Sequence, residues 1–153
     1  MAKFTGTEPY QVPTNADLGS LAYQNVDGAF IQGIKVGQIQ EVLNTKTSAT
    51  GTVEHDFSTG SVWYHSSISA NFTPNVTNVP TTYDNVLTVA SILNQGGTGY
   101  YPSALQVNGS SVTIRWSDNT TPTPGTSVMD ICVFTIFNVA GTFYAVGNYT
   151  TYA

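Results

Sequence analysis

Leu105-Gln106-Val107-Asn108-Gly109-Ser110-Ser111-Val112-Thr113-Ile114-Arg115-Trp116 decides the fold class. Leu105 and Val107 alternate with polar neighbours, and so do Val112, Ile114 and Trp116 beyond an Asn-Gly pair. Asn and Gly tolerate the positive φ of a two-residue hairpin turn, so this pattern is a strong local signal for paired antiparallel strands. The same alternation spreads outward. Val53, His55 and Phe57 alternate with Glu54, Asp56 and Ser58, a turn follows at 58–61, and Val62 to Ile68 resumes the pattern. Asn85 to Leu93 is rich in Val, Leu and Ile and stops at a glycine-rich loop. Met129 to Phe137 is almost wholly apolar, as a central strand is, and Phe143 to Tyr152 supplies a last strand after Gly141. Short strands with turn signals every eight to twelve residues or so predict a β-sandwich. The expected fold is all-β, a jelly-roll-like sandwich head preceded by an extended N-terminal arm.

The arm is expected over residues 1–50 and the head over 51–153. Pro9 and Pro13 interrupt early structure, glycines recur at 19, 28, 33 and 37, and 45–51 reads as a linker. Charge follows the same division. Lys3, Lys35 and Lys46 fall in the first segment, and Arg115 is the one basic residue after them.

The 153 residues allow one compact domain, or one domain with a short appendage. Only 8% are charged and the net charge is −5, which argues against a nucleic-acid binder or a polybasic membrane-surface protein. No apolar run is long enough for a transmembrane helix, so no membrane insertion is expected. No signal peptide is visible, so synthesis in a cytoplasm is expected, yet the hydroxyl- and amide-rich composition suits a protein that works outside cells. So few surface charges oppose self-association weakly.

Chemistry-bearing residues are sparse. Cys132 is the sole cysteine and lies in the most apolar run, the setting of a core residue. His55 and His65 would meet if strands 53–57 and 62–68 formed a hairpin. That makes either a sparse metal site, shared on a molecular axis, or ordinary polar positions at a subunit contact or in solvent. No nucleophile elbow or grouped carboxylates stand out, so no enzyme activity and no cofactor are expected. Aromatic and amide-bearing loops at 81–84, 96–102 and 117–127 hold Tyr83, Asp84, Tyr100, Tyr101, Asp118 and Asn119. Rings that stack on sugars beside Asp and Asn make these the candidates for glycan contact.

Several segments carry a family resemblance. They are Thr52-Val53-Glu54-His55-Asp56-Phe57-Ser58-Thr59-Gly60, Trp63-Tyr64-His65, Ala70-Asn71-Phe72-Thr73-Pro74-Asn75-Val76, Tyr100-x-Pro102 with Leu105-Gln106-Val107-Asn108-Gly109, and Val146-Gly147-Asn148-Tyr149-Thr150-Thr151-Tyr152. In this order they resemble a β-sandwich module of virion structural proteins of tailed bacteriophages, particularly those of marine bacteria and cyanobacteria. Ala153 stands where that pattern usually has Gly. Val12 to Gln24 is also similar to a segment of phage fibre proteins. The resemblance implies a homotrimer located in the virion, either a short head or tail fibre or a capsid-decoration protein. Its arm would bind a capsid or tail protein and its head would face outward. Phe4, Tyr10, Leu18, Leu21, Tyr23, Phe30 and Ile31 are the apolar residues expected to anchor that arm. The alternative is a receptor-binding module for a host-surface glycan.

Overall fold

The computed structural model describes residues 40–153, which form a unit of their own. The anchoring candidates Phe4, Tyr10, Leu18, Leu21, Tyr23, Phe30 and Ile31 lie outside the described residues. Ten strands succeed one another: β1 (Leu43–Thr47), β2 (Gly51–Asp56), β3 (Val62–Ser66), β4 (Phe72–Thr77), β5 (Asn85–Asn94), β6 (Leu105–Val107), β7 (Ser110–Val112), β8 (Ile114–Trp116), β9 (Met129–Val139) and β10 (Thr142–Tyr152). One sheet has the order β1-β3-β5-β9-β10-β8 and the other β2-β4-β6-β7. The unit is all-β and sandwich-like.

The first six strands fall alternately in the large and the small sheet. Each strand lies parallel to the one two places on: Leu43 opposite Val62, Gly51 opposite Phe72, Val62 opposite Ala90, and Asn75 opposite Gln106. The chain is thus wound in three coils rather than folded back in hairpins. Five of the eight strand pairings are parallel, which departs from the antiparallel sheets that a jelly roll has. The antiparallel part is the β6–β7 hairpin and the long β5–β9–β10 meander in the large sheet.

Local chemistry explains the winding. Asp56 accepts from the Ser58 N–H at 2.9 Å and starts a 3-10 turn, Phe57–Thr59, that carries the chain across to the other sheet. So β2 and β3 are not a hairpin, in contrast to the expectation for 53–57 and 62–68. The turns after β1 and β3 each place a serine at positive φ (Ser48, 55°; Ser67, 52°). They stack one coil on the next, with the Ser48 N–H bonded to the Ser66 carbonyl at 3.0 Å and the Ser69 N–H to the Ala49 carbonyl at 3.1 Å. Residues 45–47, expected in a linker, belong to β1, because Thr45, Lys46 and Thr47 pair with Tyr64, His65 and Ser66.

The Asn108-Gly109 turn forms as the sequence requires, with φ of 49° and 80°. Asn108 also clasps Val79, accepting from its N–H at 3.1 Å and donating to its carbonyl at 2.9 Å. Beyond Val112 the chain changes sheets, so Ile114–Trp116 pairs with β10 and not with β6.

Alternation sets the core. Val76, Leu105, Val107 and Phe72 from the small sheet face Trp63, Val89, Leu93, Cys132, Phe134, Ile136 and Ala145 from the large one. Burying such side chains is the main stabilising term for the unit, roughly 1.5–3 kcal/mol for each large apolar residue. Trp116 lies against Gly147, where an added Cβ would come within 2.6 Å of the indole. The absent side chain lets the ring pack on β10.

Candidate functional site

Among the described residues, three places gather polar or reactive groups. The first lies in the core. His55 on β2 and His65 on β3 face each other across the sandwich with Nε2 atoms 3.1 Å apart, and they are 1% and 0% exposed. His55 stacks on Trp63 with ring centres 4.4 Å apart, and His65 leans on Phe72. The rings are therefore not strand positions in solvent or at a subunit contact, because the pattern that points Val53 inward also points His55 inward.

One Nε2 must donate and the other accept. His65 Nδ1 is buried without a partner. A buried N–H left unbonded is rarer than an unused acceptor, so we assign His65 as the Nε2–H donor with a bare Nδ1. Burial holds both rings neutral. It is the largest cause in each case and pushes His55 down to about 2 and His65 down to about 4, with Lys46 adding its positive charge. Among the described residues no three His, Cys, Asp or Glu side chains group as a metal would need. A metal shared on a molecular axis would require an imidazole at the surface of each copy, and both rings lie inside.

The second place is centred on Asp130, fully buried on β9. Its Oδ2 accepts from the Tyr149 hydroxyl at 2.6 Å, Gln95 Nε2 at 2.9 Å and the Gly125 N–H at 3.0 Å. Burial alone would raise this carboxyl, but these hydrogen bonds outweigh it and hold the group below the usual carboxylate range. Burial, and then the bond to Asp130, push the Tyr149 hydroxyl well above its ordinary value. Gln95 also bonds both backbone groups of Tyr100, and the Ser127 N–H reaches the Gly96 carbonyl at 2.7 Å. Asp130 thus joins loops 95–102 and 117–128 into one body. Sequence reading missed Asp130 as an organiser. The one available signal was a carboxylate opening an otherwise apolar strand.

The third place is a groove of about 360 Å³ beside that body, lined by Trp116, Asp118, Thr121, Thr123, Asn148 and Thr151 among others. It offers hydroxyl, amide and carboxylate groups next to aromatic edges, a surface suited to a polyol.

The glycan candidates distribute over two ends of the sandwich. Tyr83 and Asp84 precede β5. The Tyr83 carbonyl accepts from Asn138 at 3.1 Å, and Asp84 accepts from the Ala140 N–H at 2.8 Å, so both belong to the end holding the β9–β10 turn. Tyr100, Tyr101, Asp118 and Asn119 belong to the other end. Ten-residue β5 separates the two by about 33 Å. Tyr101 is half-buried and meets Trp116 and Tyr149 edge-on, each at 6.4 Å. Asp118 and Asn119 are exposed and adopt positive φ, 53° and 54°.

Cys132 is fully buried, and burial pushes its thiol far above the usual range. No helix among the described residues is long and apolar enough to cross a membrane. No protein-family model, curated protein or solved structure matches the chain.

Proposed function

We propose that the chain is a structural protein displayed on the surface of a phage virion, without catalytic activity or cofactor. It acts as a short head or tail fibre or as a capsid-decoration protein. Its N-terminal arm, ending before Leu43, docks on a capsid or tail protein, and the β unit faces outward as a homo-oligomer. The observation that carries this reading is the use made of the titratable groups. His55, His65 and Asp130 are buried within the sandwich, where their hydrogen bonds join strands and loops, and Cys132 packs in the core. Such a unit is equipped to stay folded outside a cell, and the segments quoted above resemble phage virion modules in the same order. Antibody raised against the chain should decorate purified particles from the lysate in which it is made. Label confined to the particle-free fraction would refute the reading.

A second reading, recognition of a host-surface glycan, is favoured by the groove beside Trp116. Asp118→Ala should then weaken binding to host polysaccharide by roughly tenfold, the scale of one lost hydrogen bond to a charged group. Equal binding by the variant would dismiss it.

A further inference from the structure

The two outer faces of this sandwich are built differently. On the small sheet the outward row is polar, with Thr52, Glu54, Thr73, Asn75, Gln106 and Ser111. That is the pattern of a sheet with one solvated face. On the large sheet the alternation that points Trp63, Val89, Phe134 and Ala145 inward points Tyr64, Ile92, Val133, Phe137, Tyr144 and Val146 outward. Apolar residues thus stand outward on β3, β5, β9 and β10, interspersed at paired positions with Thr88, Thr135, Asn148 and Thr150.

Several apolar residues of this face are well exposed: Val86 at 70%, Tyr152 at 55%, Val146 at 41%, and Tyr144 and Met129 at 40%. Phe137 and Tyr144 stack across β9 and β10 with ring centres 5.4 Å apart, so the face is ordered rather than ragged. Among the described residues this face carries one charge, Arg115 on the short edge strand β8. Arg115 borders a hollow of about 410 Å³ floored by Val133, Thr135, Val146 and Gly147.

We infer that the outer face of the large sheet is the surface by which copies of this chain associate. This rests on the self-association in the structural reading above and names its surface. A second copy is the occupant that these observations fit. With Arg115 at its edge as its one charge, the face offers little to a charged partner and carries little that repels its own duplicate. Six strands at about 4.8 Å spacing and about 25 Å of strand length give roughly 700 Å² a side. Two such faces approach the roughly 1,200–2,000 Å² of a stable interface. The hollow beside Arg115 receives side chains from the neighbour.

The full chain tests this directly. Its mass by light scattering should be a multiple of the monomer at about 100 μM, the working scale for a micromolar complex. Thr88→Glu and Val146→Lys place a charge at exposed positions of the face. Each should weaken association by roughly a hundredfold or more while the far-ultraviolet circular dichroism stays unchanged. Ser111→Glu, on the polar face, should leave the mass unaltered. Hydroxyl-radical labelling of Met129 and Tyr144 should fall on assembly and recover on dilution.

A monomeric wild type overturns the inference, and so do variants that assemble like the wild type or a Ser111→Glu that dissociates equally. Protection of Met129 and Tyr144 in a dilute monomer also overturns it, because the chain's own residues then cover the face. Assembly through this face without particle labelling would sink the virion reading and leave the surface assignment standing.

Discussion

Lowering the pH from 7.5 to 5 should remove about 4 kcal/mol of stability, through His55 and His65 alone. In the folded chain both imidazoles stay neutral at pH 5, since burial holds them down to about 2 and about 4. In the unfolded chain each takes up a proton near 6.5. The unfolded state therefore binds more protons below that value, and stability is fully present above about 6.5 and lost as pH falls toward 4. At pH 5 each histidine is about 1.5 pH units below its unfolded pKa, which at about 1.36 kcal/mol per unit costs about 2 kcal/mol per ring. That loss is a large part of the roughly 5–15 kcal/mol of a typical domain. Asp56 and Asp130 are held below the usual carboxylate range by their hydrogen bonds, so the slope in this window reports the two rings. Urea unfolding followed by tryptophan fluorescence at a series of pH values measures it. His65→Gln keeps a donor near the Nε2 position and should halve the dependence. Constant stability between pH 7.5 and 5, or an undiminished slope in His65→Gln, would refute the argument.

Other variants address the packing. Gly147→Ala would place a Cβ 2.6 Å from the Trp116 ring, so urea unfolding should show a loss of about 1–3 kcal/mol with altered fluorescence of the displaced indole. Tyr149→Phe removes the 2.6 Å hydrogen bond to Asp130 and should cost about 1.5–3 kcal/mol, with faster hydrogen exchange at the Gly125 amide. Asn108→Ala forfeits both bonds to Val79 and puts alanine at positive φ, so its thermal midpoint should fall by several degrees, about 4 °C or more. Cys132 should react with a thiol reagent only as fast as the unit unfolds, and rapid labelling of the native protein would contradict its burial.

The strands themselves were legible in the sequence, because alternation is a local property. Val53, Val62, Asn85 and Met129 each fall in the strand that their own neighbours predict. Partners were not legible, because a strand's sequence does not encode which sheet it joins. The short 58–61 turn resembled a hairpin connection, yet the Asp56-capped turn sends the chain across the sandwich. Strand β4 was not legible, for a different reason. Pro74 has no N–H to donate, which argues against a central strand. It is accommodated because pairing on the β6 side is interrupted there, between the Phe72–Pro102 bridge and the Asn75–Gln106 pair, while pairing with β2 runs through it. For the site, Tyr101 lies in a loop as the sequence suggested, and Asp118 sits in a short 3-10 turn, Ser117–Asn119, at the start of the expected loop. His55 and His65 do meet, but across the sandwich and inside it rather than along a hairpin, and the Asp130 junction depends on contacts between residues distant in sequence, such as Gln95 with Asp130.

The coil winding also dictates an order of events when the chain folds. Strands β9 and β10 need only the Ala140-Gly141 turn to meet, so theirs is the most local large pairing in the unit. Each parallel pairing among the first six strands instead waits for an intervening strand to settle in the opposite sheet, because β2 lies between β1 and β3 in the chain and β4 between β3 and β5. Loop closure must precede every such contact, which places the unit among slow, non-local folders working on the millisecond-to-second scale. Pulsed hydrogen exchange should protect β9 and β10 amides first and the β1 edge last. While that edge is still forming, newly made chains expose the unpaired borders of both sheets to one another. Premature contact between newly made chains would therefore be rarer in dilute, gradual synthesis than in a sudden burst.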